Sequence, residues 1–273
     1  MKIALLQMTS GIDPLANSRT IVNAVAKAAG EGAGMVFTPE MSGLLDRDRT
    51  RAEPHLHRED EDPVLSAVRE AAALHGIWVA LGSLAVRSAG DRLANRSFVI
   101  DDQGGIRARY DKLHLFDVDL PTGESWRESK VYAAGDTACV ANVPAGALGL
   151  SVCYDLRFPD LYRALSDAGA TLIAVPAAFT RPTGRAHWEP LLRARAIEAG
   201  AWVVAAAQTG EHADGRATWG HSMVVDPWGE IMLDMGIAPG LGFADIDPDR
   251  VRDVRARIPA LRHRRQIPGV DRR

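Results

Sequence analysis

The sequence predicts an α/β fold in which two sheets pack face to face, each backed by helices. Short apolar runs such as Met35-Val36-Phe37 and Leu148 to Val152 read as strands buried on both faces, and they alternate with longer stretches of helical period. The alternation runs to residue 111 and resumes from 138, a coarse doubling with no linker between the halves. The number of strands favours two facing sheets over one open sheet.

Lys2 to Met8 is the first strand, and Asp13-Pro14 is a cap and first-turn proline for a helix to about Gly30, with Ile21, Val25 and Ala28 on one face. Pro39-Glu40 follows the strand at 35–37. The charged stretch to Asp62 reads as a surface loop, and Asp62-Pro63 opens a helix to about Gly76. Ile77 to Val86 and Ser97 to Ile100 are strands, and Asp101 to Gly105 turns into a strand over Ile106 to Tyr110. Residues 112–137 carry no clear periodicity, the mark of a functional connection.

Ala138 to Val143 and Leu148 to Val152 are strands, the first with Cys139 as core. Cys153 ends the second, and Pro159 opens a helix with Leu161, Leu165 and Ala168 on one face. Thr171 to Val175 is a strand, a loop runs through Arg185, and His187 to Ala199 is a helix before the strand Trp202 to Ala206. A hairpin turns at Pro227-Trp228-Gly229, Gly242 to Ile246 is the last strand, and an arginine-rich helix starts at Asp247-Pro248.

Composition narrows the function classes. With 273 residues, 47% hydrophobic and 25% charged, the chain is globular. A net charge of -3 with both signs mixed gives no general drive toward nucleic acid or membrane, and the basic run from about 247 shows no aromatic interleaving or reader motif. No apolar run is long enough to span a bilayer, and the N-terminal strand lacks a cleavage pattern. Two cysteines make no disulfide framework, so a cytoplasmic protein is expected. One domain over 1–273 is expected, ending in the basic segment. His55, His57, Glu59 and Asp60 lack coherent ligand spacing, so no metal and no cofactor are expected.

Glu40, Lys112 and Cys153 each follow a buried strand, and sites in α/β sheets form at strand carboxyl edges. A thiol on a strand-to-helix turn is held clear of the backbone beside amides that can face an anion. Such a cysteine is either a nucleophile or a small residue finishing a strand, and Glu40 and Lys112 taken singly are also readable as a surface ion pair. Together the three suit acyl transfer. The thiol attacks a carbonyl carbon, the carboxylate moves its proton to the departing nitrogen, and the ammonium, with the N–H of Tyr154, faces the oxyanion.

Phe37-Thr38-Pro39-Glu40, Tyr110 to Asp117 and Cys153-Tyr154-Asp155-Leu156-Arg157-Phe158-Pro159 resemble, in order and spacing, the three signature segments of the nitrilase superfamily, the carbon-nitrogen hydrolases. The resemblance runs from Lys2 to about Arg265. It implies a four-layer α-β-β-α sandwich, the Glu-Lys-Cys triad and a homodimer. It also implies a second glutamate near the triad, for which Glu128 stands in the matching place; otherwise Glu128 reads as one more loop acid. The segments Gly184 to Glu189, Leu192 to Glu198 and Gly220 to Gly229 are similar to the branch acting on α-ketoglutaryl amides, deaminated glutathione or α-ketoglutaramate. A small carboxylate-bearing amide is therefore the expected substrate. A nitrilase, an N-carbamoyl amide hydrolase and a non-catalytic binding protein are the alternatives. Candidates for substrate contact are Tyr154, Arg157, Phe179, Arg181 and His187, with Arg185 beside them. A guanidinium grips a carboxylate bidentately, but Arg157 equally suits a structural pairing with an acid behind the turn, and His187 a structural hydrogen bond.

Overall fold

The computed structural model describes residues 1–273 apart from 89–91, 120–122, 124, 268, 270 and 273. In chain order the first half comprises β1 (Lys2–Gln7), α1 (Pro14–Gly30), β2 (Met35–Phe37), α2 (Arg49–Ala52), α3 (Pro63–His75), β3 (Trp78–Arg87), β4 (Leu93–Ile100) and β5 (Ile106–Asp111). A small hairpin of β6 (Asp117–Asp119) and β7 (Ser125–Arg127) leads to β8 (Val140–Val143), β9 (Gly146–Leu150), α4 (Pro159–Asp167), β10 (Leu172–Ala174), α5 (Arg181–Ala199) and β11 (Trp202–Ala205). The chain closes through β12 (Thr209–Glu211), β13 (Ala217–Trp219), β14 (Met223–Val225), β15 (Ile231–Asp234), β16 (Gly240–Asp245), α6 (Pro248–Arg257) and α7 (Ala260–His263).

The doubling visible in the sequence becomes two six-stranded sheets, ordered β16-β1-β2-β3-β4-β5 and β8-β9-β10-β11-β14-β15. Read in those orders, both pair antiparallel, parallel, parallel, antiparallel, antiparallel. Successive residues of β1 enter different cores, as the period-2 pleat requires. Ala4 and Leu6 pack with Ile21, Val25 and Ala28 of α1 and with Leu65, Val68 and Ala72 of α3. Ile3 and Leu5 join Leu148, Leu150, Leu172 and Val203 of the second sheet, in a cluster that continues to Leu161 and Leu165 of α4 and Leu192 and Ala196 of α5. The layers are therefore helix, sheet, sheet, helix.

Local signals fix the helix ends. Asp13 and Asp62 accept the second and third amides of α1 and α3, each followed by a first-turn proline, and Gly76 and Gly200 close α3 and α5 in the left-handed region. Two arginines of the basic C-terminal run serve helix ends. Arg255 donates to the carbonyls of Ala199 and Gly200 at the end of α5 and to that of Ala170, while Arg264 pairs with Asp167 at the end of α4.

Several expected boundaries move. α5 begins at Arg181, so Arg181 and Arg185 are helical rather than in a loop. The presumed surface loop after Glu40 buries Met41, Ser42, Gly43 and Leu45 and carries α2 and two 3₁₀ turns. Residues 112–137 hold β6, β7 and a 3₁₀ turn at Glu128–Lys130. On α4 the buried face is Leu161, Tyr162 and Leu165, with Ala168 exposed beyond its end. Cys139 precedes β8 and is only partly buried.

Candidate active site

Three strand ends converge. β2 delivers Glu40, β5 delivers Lys112 and β9 delivers Cys153, and all three side chains line one cavity of about 280 Å³. Lys112 is 2% exposed, and its Nζ donates to Glu40 Oε1 at 3.0 Å and to Glu128 Oε2 at 2.8 Å. Glu128 is thus brought to the triad. It reaches in from the 3₁₀ turn after β7 and is itself held by the N–H of Phe116 at 2.6 Å. Glu40 Oε1 accepts a second bond from Asn95 Nδ2 at 3.0 Å, and that same nitrogen lies 3.1 Å from Glu128 Oε1. Glu40 Oε2 accepts the N–H of Ala178 at 3.0 Å. The Cys153 thiol shares the cavity with Glu40 and Ala178, close enough for both to act on its ionisation.

The electrostatics follow from this packing. Burial alone pulls the Lys112 ammonium down, but the charges of Glu128 and Glu40 outweigh it and hold its pKa well above the usual lysine range. Burial pushes the Cys153 thiol well up, the Glu40 carboxylate adds to the rise, and Lys112 opposes it. The resting pair is a charged ammonium and a neutral thiol beside a carboxylate.

The turn that presents Cys153 is strained and braced. Cys153 has φ of 50°, a left-handed conformation unusual for a residue with a Cβ, and its N–H donates to Pro176 O at 2.9 Å. A 3₁₀ turn over Cys153–Arg157 follows. Asp155, fully buried, accepts from the N–H of Val152 at 2.8 Å, from Tyr110 OH at 2.7 Å, from the N–H of His114 at 3.0 Å and bonds His114 Nδ1 at 2.7 Å. Tyr110 and His114 flank Lys112, so one carboxylate staples the lysine segment to the cysteine turn. Behind it, Arg195 of α5 donates twice to Leu156 O, at 3.1 and 2.9 Å.

The remaining candidates divide. Tyr154, Arg157 and Phe179 line the cavity, with Arg157 over the rings of Tyr154 and Phe179 at 5.8 and 5.3 Å. Among the described residues the acid pairing suggested for Arg157 is not formed: its Nη1 donates to His187 Nδ1 at 3.2 Å, and Asp155 and Arg195 do the bracing. His187 is exposed and does not line the cavity, touching it only through Arg157. Arg181 also stays outside it, paired with exposed Glu211 at 3.5 Å. Glu59, in the stretch without coherent ligand spacing, holds Arg96 and Arg109.

Sequence reasoning missed Asn95, Asp155, Arg195 and Gly82. Asn95 lies in β4, which starts at Leu93, four residues before the Ser97 start that the sequence predicts. A Cβ on Gly82 would lie 2.1 Å from Thr38 O, 2.4 Å from Pro39 O and 2.6 Å from Pro176 Cβ, so only glycine lets the two sheet ends approach here. Such a close approach leaves no mark in composition.

Residues 2–256 match the family model of the carbon-nitrogen hydrolases. The chain is 42% identical over 271 residues to the deaminated glutathione amidase of Yersinia enterocolitica, covering 98% of this chain and 94% of that protein. It superposes on the Caenorhabditis elegans NitFhit protein with a TM-score of 0.90 at 40% identity, covering 97% of this chain and 65% of that one, so it spans about two thirds of NitFhit's length. A glutamate-to-glutamine mutant of an amidase from Nesterenkonia sp. AN1 superposes with a TM-score of 0.80 at 30% identity, over 95% of this chain and 98% of that one, and its structure shows the result of Michael addition of acrylamide at the active-site cysteine. The chain belongs to the carbon-nitrogen hydrolase family and is a hydrolytic enzyme of the nitrilase superfamily. Its four-layer sandwich is the fold of those relatives.

Proposed function

We propose that the enzyme is an amidase that hydrolyses a small carboxylate-bearing amide, in the first instance an α-ketoglutaryl amide such as deaminated glutathione, through a thioester on Cys153. The observation that carries this reading is the neutral Cys153 thiol beside Glu40, whose carboxylate is fixed by Lys112 and Asn95. Glu40 takes the thiol proton as Sγ attacks the amide carbon, then gives it to the departing nitrogen as the C–N bond breaks. Lys112 and the Tyr154 N–H face the oxygen that becomes negative. Water, deprotonated by Glu40, opens the thioester and releases the acid, and Cys153 recovers its proton.

Glu128 keeps Lys112 charged and aimed. As Glu40 is protonated the oxyanion appears, so one negative charge moves within the site and none is created there. Deaminated glutathione is favoured over other amides by the name of the Yersinia relative, and the cysteine by the acrylamide adduct of the Nesterenkonia amidase. The reading also takes the chain as one catalytic domain, acting as a homodimer in the cytoplasm. Two unpaired cysteines accord with a reducing compartment.

Mass spectrometry after incubation with deaminated glutathione and with α-ketoglutaramate tests the reading. Cleavage is expected, with an acyl adduct on Cys153 at short times and none in Cys153→Ala. No hydrolysis of either amide removes the substrate class, and full turnover by Cys153→Ala removes the mechanism.

A further inference from the structure

We propose that the Tyr132 hydroxyl holds the water that opens the Cys153 thioester, a catalytic contact made in the second half of the reaction. The proposal rests on the amidase reading and adds a residue to it. It starts from what that water needs. The amide nitrogen is kept beside Glu40 by its bond to the acyl carbon, whereas the water is kept there by hydrogen bonds alone. One of its protons goes to Glu40, so the other O–H needs an acceptor. Most side-chain acceptors lining the cavity are already engaged. Both oxygens of Glu128 are bonded by Lys112, with Asn95 on one and the Phe116 N–H on the other. Asp46 holds Arg51 through both of its oxygens, and the Thr180 and Thr183 hydroxyls bond each other at 2.9 Å. Guanidiniums, the Lys112 ammonium and the Trp126 indole only donate. Two hydroxyls remain, those of Tyr132 and Tyr154, and among the described residues neither has a hydrogen-bond partner.

Position separates the two. Tyr154 follows the nucleophile in its turn, where its ring meets Phe116 and Phe158 edge-on at 5.1 and 5.3 Å with Arg157 over its face at 5.8 Å. Tyr132 enters from the wall that carries Glu128. Its N–H donates to Glu128 O at 2.9 Å, and its neighbours Val131 and Ala133 bond Leu93 at 3.2 and 2.8 Å, two residues before Asn95 in β4. Its backbone is thus tied both to the turn of Glu128 and to the strand of Asn95. Glu128, Glu40 and Lys112 all lie near enough for their charges to act on the phenol. Burial, then Glu128, pushes its pKa above the ordinary tyrosine range, so the oxygen accepts a bond while keeping its own proton. The step then balances. As water forms a C–O bond to the thioester carbon, one proton passes to Glu40 and the other stays on oxygen, donated to Tyr132. The C–S bond breaks, the departing thiolate takes the proton from Glu40, and the acid leaves.

Tyr132→Phe removes the oxygen and keeps the ring, and two readouts separate the halves of the reaction. kcat/KM for the amide reports the steps up to formation of the thioester. Loss of the adduct, after an aryl ester of the same acid has loaded Cys153, reports its opening and is followed by quenched mass spectrometry. The variant is expected to lose the adduct about tenfold more slowly than the parent, with kcat/KM for the amide within about twofold of it. Decay of the adduct is first-order, so a smaller folded fraction does not mimic the result. An unchanged decay, or a kcat/KM that falls in step with the decay, overturns the proposal and leaves the amidase reading standing. No adduct on Cys153 of the parent overturns the thioester and, with it, both readings.

Discussion

β2 and β10 hold matching places in the two sheets, third in each order and flanked by parallel neighbours, yet they end differently. Each reaches a proline two residues past its last strand residue, Pro39 after Phe37 and Pro176 after Ala174. Beyond Pro39 the chain offers a carboxylate, Glu40. Beyond Pro176 it offers Ala177 and Ala178, whose methyl groups leave the main chain accessible: Pro176 O receives the Cys153 N–H, and the Ala178 N–H meets Glu40. One half supplies charge and the other supplies oriented backbone. Repeating a topology repeats the place where chemistry can be mounted, and the residues at that place decide what is mounted.

The comparison can be broken first at its charged end. Replacing Glu40 by Gln keeps an acceptor for Lys112 and Asn95 but removes the proposed proton carrier, so kcat should fall on the order of 10³-fold with folding preserved. Near-normal turnover of an amide would take Glu40 out of the base role. Next comes the point where the halves touch. Gly82→Ala forces Pro39 and Pro176 apart and should cost about 2 kcal/mol or more, read as a lower denaturant midpoint together with lost activity. An unchanged midpoint would mean that the sheets yield freely there.

Asn95→Asp places a third carboxylate against Glu40 and Glu128. The acidic limb of kcat/KM against pH should move to higher pH while KM changes little. A uniform loss without a shift would reduce Asn95 to packing.

A smaller effect concerns alkali. The Cys153 thiol is held up by burial and by Glu40, whereas an unfolded cysteine ionises near pH 8.5. A raised folded pKa gives stability that is complete below the unfolded value and declines as pH rises above it. The parent should therefore lose stability between about pH 8.5 and 10 more steeply than Cys153→Ala, as thermal melts across that range would read. Parallel curves would contradict the buried neutral thiol.

Much of this was legible in the sequence because strands and caps are local. Ile3 to Met8, Asp13-Pro14 and Asp62-Pro63 announce their elements within a few residues, and Glu40, Lys112 and Cys153 announce themselves by standing just past them. Glu128 needed the family resemblance, since a glutamate in an aperiodic stretch carries no signal of its own. Asn95, Asp155 and Arg195 reach the site through partners 33 to 55 residues away, beside shorter-range bonds such as that of Asp155 to Val152, and no local pattern encodes the distant contacts. Arg181 misled for the complementary reason. Its place at the start of α5 turns it toward Glu211, a direction that composition does not convey.

The φ of 50° at Cys153 bears on how this protein tolerates change. Glycine adopts that conformation without the penalty of roughly 1 kcal/mol that a Cβ imposes. Cys153→Gly should therefore melt higher than Cys153→Ala, although both lack the thiol. Selection for stability alone would drift toward glycine at this position; the cysteine marks the residue where the chain's preferred conformation and its proposed nucleophile pull in opposite directions.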